Sequence, residues 1–529
     1  MDQRVAIQVS IPVSTSPDEW IAAEVLREDF ASTLGAEIAT DVAPEAHAEA
    51  TVELAARFLG YVASSVPKDP QSVNARTAVL YNVLKYFTSS FLATHDIHSL
   101  VASYSTDSRK SILAAYFSAV GTLQARGVQD IPRQPESALL TAAASGKASI
   151  FALFGGQGTN EVYLDELQGF YDIYKPFVDS YLHSVSRDVL VPLAEVESES
   201  AFYTFGLDVH SWLSGSTPRP PTAYLASVPV SFPLIGLTQL VQYLIVCRVA
   251  GLTPGELRDR IGGATGHSQG IVSAVVVAAS STFEEFAENS RKALKWLFFS
   301  GLRGQQAFPV TAIDPAIVRD ATEGGEGAPS PMLSVTGLSL KELEPHVAKT
   351  NKYLPESSQL FISLHNGPKA FVITGPPKAL FGLVTSLRKV RAASGTDQSK
   401  IPFSQRKPVF SIRFLVVGVP YHSDYLKGLT ERVIEDDLKN EELWLAKDLK
   451  IPVYNTEDGK RISNSTLPNI SHPSLSQALT CVTSLRPSPS PCASRSSLSP
   501  STGPRPLPSQ SLPPMQLTLV PEDRQVSVL

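Results

Sequence analysis

The spacing of apolar residues divides the chain into a helical part and a part in which strands and helices alternate. Ser16 and Pro17 begin a capping box, and the apolar residues between Trp20 and Phe30 follow with helical spacing. Similar patterns continue, so we expect a helical N-terminal region over residues 1–130. The proline-containing stretch at 131–138 is a plausible linker.

Beyond the linker the pattern becomes that of an α/β fold. The run SIFALF at 149–154 ends in glycines and predicts a buried parallel strand, and the run IVSAVVVAA at 271–279 predicts a helix that is buried on all sides. Residues 331–390 read strand, helix, strand, strand, helix, which is typical of a ferredoxin-like subdomain. We therefore predict that this small subdomain is inserted into a large one formed by residues 145–330 and 391–470.

The last segment, residues 471–529, has a different composition. It contains 11 prolines and 14 serines and shows neither helical nor strand periodicity. Burying so few apolar side chains would not offset the entropy lost on ordering the segment. The sequence therefore predicts a disordered Ser/Pro-rich tail.

Composition and charge argue against several classes of partner and compartment. The net charge is −6, which gives no reason to expect a nucleic acid or an anionic membrane as a partner. The three cysteines, Cys247, Cys481 and Cys492, have neither metal-ligand nor disulfide-framework spacing, so we expect no metal and a reducing compartment.

The N-terminus is not a secretory signal. The apolar stretch that holds Gln239 and Arg248 is expected to be a buried helix. A cytoplasmic protein is predicted.

The candidate chemistry begins at Gly266-His267-Ser268-Gln269-Gly270, which has the form Gly-x-Ser-x-Gly. A serine hydroxyl needs a base and an exposed position to act as a nucleophile. In this motif a sharp strand-to-helix turn exposes the hydroxyl, and the following helix N-terminus lies near the developing oxyanion. Because short motifs match often by chance, an ordinary glycine-rich turn is the alternative.

Two other stretches could complete such a site. The glycine-rich loop GGQG at 155–158 can present backbone N–H groups, as an oxyanion hole requires, although it could be an ordinary turn after a strand. His422 follows a strand-like run and could serve as the base, or it could be a solvated loop residue. No aspartate between Ser268 and His422 stands out as a third member, so a Ser–His dyad is favoured over a triad.

A series of longer motifs occurs in a characteristic order, from FGGQGTNEVYLDELQ through GATGHSQGIVSAV, RKALKWLFFSGLRG and SLHNGPKAFVITGPPKAL to PYHSDYL and IPVYNTEDG. Together they resemble the N-terminal acetyltransferase, or starter-loading, region of the fungal type I fatty acid synthase β subunit. The resemblance covers about residues 1–470. It implies an acyltransferase fold with an α/β-hydrolase-like large subdomain and a ferredoxin-like small one.

The resemblance also implies roles for particular residues. Ser268 would take an acyl group from coenzyme A, and His422 would act as general base and then as acid. The backbone N–H groups of Gln157 and Gln269 would hold the oxyanion. Asn366 matches an asparagine near the catalytic histidine, although an ordinary hairpin-turn asparagine is an equal alternative. The acyl group would pass to the phosphopantetheine thiol of an acyl carrier protein.

Substrate choice is argued from one position. Malonyl-specific relatives carry an arginine about one helix beyond the serine, and here that place falls at about Ser300. A buried carboxylate without a bidentate cation would be costly, so a neutral acyl group is predicted. Arg303 is close by, but acetyl-loading relatives carry an arginine there too. Acetyl-loading relatives typically have a bulkier apolar residue at the place of Ser300. The smaller serine could leave more room in the pocket, so a starter longer than acetyl is a further hypothesis.

The departures from the family set further expectations. The enoyl reductase, dehydratase and malonyl/palmitoyl transferase domains of the family do not follow, so no FMN or NADPH site and no bound cofactor are expected. The resemblance stops before the end of the acyltransferase domain, so we expect a C-terminally truncated acyltransferase whose activity the sequence leaves open. The expected partner is a fatty acid synthase α subunit, its acyl carrier protein, or a polyketide synthase. The alternatives are a non-catalytic remnant or assembly piece and, less favoured, a serine thioesterase or lipase.

Overall fold

The structure of the protein is a computed structural model that describes residues 16–34, 44–67, 75–158, 160–393, 395, 397–399, 401–402, 405–439, 441, 443–456, 459–462 and 516–520. It divides into two compact units, which are described separately. The first comprises Met1–Lys147, Leu167–His183 and Leu244–Gly251, and the second comprises Ala148–Glu166, Ser184–Tyr243 and Leu252–Leu529.

The first unit is helical, as its sequence pattern predicts. Its own helices are α1 (Pro17–Leu34), α2 (Pro44–Ser65), α3 (Ala75–Phe91), α4 (Ile97–Leu100), α5 (Thr106–Ala125) and α6 (Ala138–Ala144). Close packing of α2 on α5 depends on small residues, since a Cβ on Gly60 would lie 3.1 Å from that of Ala115. The unit extends past the predicted end at residue 130, because two later helices contribute segments to it.

Helices continue after β1, the first strand of the second unit. They are α7 (Tyr163–Val185), α8 (Val191–Val196), α9 (Val209–Ser214), α10 (Thr222–Leu225) and α11 (Val228–Ala250). Helix α7 is kinked at Tyr174, two residues before Pro176, as expected where a proline removes a helical hydrogen bond. By length and composition α11 is long enough to cross a membrane, but 94% of its most apolar window is buried in the fold.

A four-stranded sheet forms the large subdomain of the second unit. Its strands are β1 (Ser149–Phe154), β2 (Ile261–Gly266), β7 (Val453–Tyr454) and β8 (Gln516–Val520), in the order β7-β2-β1-β8. The first three are parallel, and β8 runs antiparallel beside β1. The accompanying helices are α12 (Pro254–Arg258), α13 (Gly270–Ala279), α14 (Phe283–Ala307), α15 (Pro315–Glu323) and α18 (Leu429–Arg432). Residues 270–278 of α13 are all buried, as predicted from its uniformly apolar sequence.

The small subdomain is ferredoxin-like. Its elements in chain order are β3 (Met332–Thr336), α16 (Leu340–Asn351), β4 (Phe361–Gly367), β5 (Ala370–Thr374), α17 (Pro377–Val390) and β6 (Ser411–Phe414). The strands are antiparallel in the order β4-β5-β3-β6. The fourth strand, β6, lies outside the predicted limits of 331–390. Residues 391–470 were expected to belong to the large subdomain, but Ser411–Phe414 pair with β3 instead.

The predicted disordered tail is partly corrected by the structure. Within residues 471–529 the backbone of β8 pairs with β1 over five residue pairs, from Ser149 with Val520 to Leu153 with Gln516. Those five residues are therefore a strand, formed where β1 offers an unpaired edge to a β-prone segment. The rest of the predicted tail lies outside the described residues.

Candidate active site

Ser268 stands at the turn between β2 and α13, where the sequence motif predicts it. Its backbone φ is 51°, in the left-handed region that non-glycine residues seldom occupy. The turn begins with a hydrogen bond from the His267 N–H to the carbonyl of Phe154, at 2.9 Å. Ser268 itself is half-buried. The strained turn therefore presents its hydroxyl immediately before the N-terminus of a fully buried helix.

Both glycines of the motif occupy places where a side chain has no room. A Cβ on Gly266 would lie 2.0 Å from the carbonyl carbon of Gly270, and a Cβ on Gly270 would lie 2.4 Å from the carbonyl oxygen of Phe154. Both distances are far inside the roughly 3.5–4.0 Å optimum for such contacts. The Gly-x-Ser-x-Gly spacing is thus required by the crossing of β1, β2 and α13.

His422 lies in the segment that follows β6, and it reaches the serine. The distance from its Nε2 to the Ser268 Oγ is 2.9 Å, within hydrogen-bond range. His422 is 3% exposed and also has a left-handed backbone, with φ of 62°. The structure therefore brings together the two residues that the sequence proposes as nucleophile and base, although they are 154 positions apart.

The pair opens into a small pocket. Its lining residues are His267, Ser268, Ile271, Leu364, His422, Asn455 and Thr456. Ile271 and Leu364 give it apolar walls, and Leu364 comes from β4 of the small subdomain. Asn455 and Thr456 supply a polar wall and belong to the IPVYNTEDG motif. No lysine or arginine lines the pocket among the residues that the structure describes.

The glycine-rich loop after β1 lies directly against the serine turn. A Cβ on Gly156 would be 2.8 Å from the His267 Nδ1 and 3.2 Å from the Ser268 Cβ, so the loop approaches the serine turn too closely to admit a side chain at this position. Within the described part of the chain, the main-chain N–H groups of Gln157 and Gln269 donate to no acceptor. Gln157 follows Gly156 and Gln269 follows Ser268, so both N–H groups are candidates for an oxyanion hole.

Buried polar side chains on α11 and α13 hold this loop in place. Gln239 on α11 donates from its Nε2 to the carbonyl of Gly155, at 2.6 Å, and its Oε1 accepts from the Ser273 hydroxyl on α13, at 2.7 Å. The Gln157 Nε2 donates to the Ser231 hydroxyl, at 3.3 Å. These supports were not identified from the sequence, where Gln239 counted only as a polar residue in an apolar helix.

Ser300 is placed differently from its predicted role, and Asn366 has His267 as a hydrogen-bond partner. The Asn366 Oδ1 lies 3.0 Å from the His267 Nε2, within hydrogen-bond range of the histidine that precedes the nucleophile. Ser300 is fully buried and does not line the pocket. Its carbonyl oxygen accepts a hydrogen bond from the Tyr421 hydroxyl, at 3.2 Å. Helix α14 therefore packs against Tyr421, the residue before His422, and does not contribute to the pocket wall.

Arg303 is occupied by acidic side chains. Its Nη2 lies 2.5 Å from the Asp437 Oδ1 and 3.2 Å from the Glu197 Oε1, and its Nη1 donates to Gln306. Hydrogen bonding to Asp437 raises the pKa of Arg303. Only 14% of its side chain is exposed. The structure thus gives a physical reason why this arginine does not present its guanidinium to a substrate carboxylate.

Family models match two parts of the chain. The model described as "N-terminal domain in fatty acid synthase subunit beta" matches residues 3–123, and "Starter unit:ACP transacylase in aflatoxin biosynthesis" matches residues 152–408. The second match contains Ser268 and ends before His422. A solved complex of a type II PKS acyl-carrier protein with its malonyl-transacylase is 17% identical. That alignment covers 64% of this chain and 81% of that one with a TM-score of 0.41, a level of likeness that adds nothing to the site.

Curated relatives share the same region. The fatty acid synthase subunit β of Saccharomyces cerevisiae is 41% identical over 411 residues, covering 77% of this chain and 20% of the relative. The β subunit TOXC of Cochliobolus carbonum is 37% identical over 423 residues, covering 79% and 20%. The chain thus spans about a fifth of the length of these relatives. The resemblance found in the sequence is confirmed: this chain corresponds to the N-terminal acyltransferase region of fungal fatty acid synthase β subunits.

Proposed function

We propose that the protein is an acyl-CoA:acyl-carrier-protein S-acyltransferase that works through an acyl-serine intermediate. The observation that carries this proposal is the hydrogen bond between the Ser268 Oγ and the His422 Nε2, at 2.9 Å, inside a pocket at the N-terminus of a buried helix. A nucleophile and base within hydrogen-bond reach are the minimum for covalent acyl transfer. The match to a starter unit:ACP transacylase model supports the same reaction class.

In the first half-reaction the Ser268 oxygen attacks the thioester carbonyl carbon of an acyl-CoA. His422 takes the serine proton on Nε2, and the carbonyl becomes a tetrahedral oxyanion. Collapse of this intermediate breaks the carbon–sulfur bond, and His422 returns the proton to the departing thiolate. The products are free CoA and an ester on Ser268.

The oxyanion would be held by the main-chain N–H groups of Gln157 and Gln269. The close approach of Gly156 to the serine turn supports this assignment, and so does the finding that neither N–H group donates to an acceptor within the described part of the chain. The N-terminal end of α13 adds a favourable field for negative charge. Donors fixed before the reaction cost no reorganisation when the charge develops.

In the second half-reaction a phosphopantetheine thiol is the nucleophile. His422 removes the thiol proton, the sulfur attacks the ester carbonyl, and the proton passes to the Ser268 oxygen as it leaves. We propose that the thiol belongs to an acyl carrier protein, held by a fatty acid synthase α subunit or by a polyketide synthase, in the cytoplasm. The β-subunit relatives support the first of these partners.

We propose a neutral acyl group as cargo. The pocket walls at Ile271 and Leu364 are apolar, and Arg303 is engaged by two carboxylates. A malonyl carboxylate in this pocket would lose its hydration without gaining a cation, which is costly. An acetyl group or a somewhat longer saturated chain meets no such penalty.

The test is acyl transfer to free pantetheine from acetyl-, butyryl-, hexanoyl- and malonyl-CoA. We expect acyl-pantetheine from the neutral donors, and a loss of about 10³-fold or more in Ser268→Ala. Ser216→Ala, at an exposed serine, is the matched control and should equal the wild type. Preference for malonyl-CoA would refute the neutral cargo, and release of free acid alone would favour a hydrolase. A folded wild type without turnover would favour the non-catalytic remnant.

A further inference from the structure

The residue next to the proposed base is unusually well anchored. Tyr421 is 3% exposed, and its ring lies against that of Phe232 on α11, with 5.0 Å between the ring centroids. Its hydroxyl donates to the main-chain carbonyl of Ser300 on α14, at 3.2 Å. Burial raises the pKa of Tyr421 well above its ordinary value, so the hydroxyl keeps its proton and remains a donor. One side chain therefore ties the His422 segment to two helices.

Helix α14 has room for this phenol only because it carries glycines there. A Cβ on Gly304 would lie 2.9 Å from the Tyr421 hydroxyl oxygen, and a Cβ on Gly301 would lie 3.0 Å from the Phe232 Cβ. Larger residues would push the phenol and its neighbouring ring away from the helix. The close approach of the tyrosine to α14 is thus a specific feature of this sequence.

His422 needs such anchoring because its backbone is strained. A histidine with φ of 62° persists only when its surroundings hold it in this sparsely populated backbone conformation. Tyr421 secures the N-terminal side of the turn. On the C-terminal side the Ser423 hydroxyl donates to the carbonyl of Pro420, at 2.5 Å. The Ser423 bond stays within the loop, whereas the Tyr421 bond fixes the loop to the helical scaffold.

We propose that Tyr421 is a positioning residue for acyl transfer, whose hydroxyl fixes the His422 imidazole at hydrogen-bond distance from the Ser268 oxygen. This inference rests on the proposed function of Ser268 and His422. It also assigns Ser300 a role different from chain-length selection. Ser300 contributes its carbonyl oxygen as the anchor point, while its side chain is buried away from the pocket.

Tyr421→Phe is a clean perturbation. It removes one hydroxyl from a buried ring and keeps the contact with Phe232. The Ser300 carbonyl lies four residues before Gly304 inside α14, so it retains a helical hydrogen bond. Tyr425→Phe is the matched control, because its hydroxyl also donates to a main-chain carbonyl, that of Gln359, at 2.8 Å. Both variants lose the same atom from the same stretch of chain.

Two rates are measured for each variant, together with the thermal unfolding midpoint. The first is acyl-serine formation from acetyl- and hexanoyl-CoA as a function of concentration, and the second is phosphonylation of Ser268 by a small fluorophosphonate. We expect Tyr421→Phe to lower the maximal rate of both reactions about 10- to 100-fold, since small displacements of a base carry losses of this size. The KM for acyl-CoA and the unfolding midpoint should stay close to those of Tyr425→Phe, which should react like the wild type.

The results separate this inference from the function on which it rests. Equal rates for Tyr421→Phe and Tyr425→Phe would overturn the positioning role, and so would a rate loss matched by a fall in unfolding midpoint or a rise in KM alone. A wild type that is phosphonylated but takes no acyl group would overturn acyl transfer. Even then, the phosphonylation rates of the two variants would still decide for or against Tyr421.

Discussion

Substitution of Gly156 tests whether the loop after β1 is part of the active site. An added Cβ would lie 2.8 Å from the His267 Nδ1, 2.9 Å from the His267 carbonyl oxygen and 3.2 Å from the Ser268 Cβ. The carbonyl belongs to the strained serine turn, and the imidazole is held by Asn366. Neither neighbour can yield freely, so in Gly156→Ala the loop backbone has to move.

The size of this movement follows from the distances. Reaching an ordinary contact of about 3.5 Å requires a displacement of roughly 0.6 Å. Catalytic groups have to be held within about 0.5 Å of their productive positions, and an error of about 1 Å costs on the order of 100-fold. The displaced group is the Gln157 N–H, the next donor along the chain. We therefore expect Gly156→Ala to lower the rate of acyl-serine formation about 10- to 100-fold.

The assay is rapid-quench measurement of acyl-serine formation at saturating acyl-CoA, with the folded fraction checked by circular dichroism. Gly262→Ala is the control, because its Cβ would meet nothing closer than 3.7 Å although it lies on β2, which leads into the serine turn. It should react like the wild type. Equal rates for the two alanine variants would refute the assignment of the loop to the oxyanion hole.

Two further predictions concern the pocket wall and the helical unit. Leu364→Ala enlarges the pocket from the small-subdomain side, so the ratio of hexanoyl to acetyl transfer should rise about tenfold, whereas Leu354→Ala, in the same subdomain but outside the pocket, should leave the ratio unchanged. In the helical unit, burial lowers the pKa of His98, which bonds to the Tyr174 hydroxyl at 2.8 Å. The His98 imidazole therefore binds its proton more tightly in the unfolded chain than in the folded one. The free energy of unfolding has its full value above the unfolded pKa of about 6.5 and falls as the pH drops below it. Urea denaturation at a series of pH values should show this fall in the free energy of unfolding, and the fall should be smaller in His98→Gln than in the wild type. An identical pH dependence in the two proteins would contradict the prediction.

Much of the fold was predictable because its signals are local. The serine turn, the buried helix behind it and the hairpin of the small subdomain each follow from a short run of residues. The pairing of distant segments does not have a local signal. Strand β6 has the apolar pattern of a strand in either subdomain, and only tertiary packing selects β3 as its partner. The same holds for β8, whose short strand pairs with β1 from within a Ser/Pro-rich segment.

The nucleophile and the base could be predicted from the sequence, but the residues that hold them in position could not. Ser268 and His422 come together as the motifs predict. Ser300 was assigned to the substrate because it falls at about the arginine position of malonyl-specific relatives, but packing of α14 buries its side chain, and its carbonyl accepts the hydrogen bond of Tyr421. Tyr421 was visible in the PYHSDYL motif, although nothing in the sequence indicates which carbonyl its hydroxyl reaches.

The central claim is that Ser268 carries the acyl group, and mass spectrometry of the intact and the digested protein after acid quenching tests it most directly. The protein is mixed with acetyl- or hexanoyl-CoA, quenched and digested, beside Ser268→Ala. We predict a mass gain of one acyl group, located on the peptide that contains Ser268 and absent from the variant. A folded wild type without any mass gain, or an acyl group located on another residue, would contradict the account.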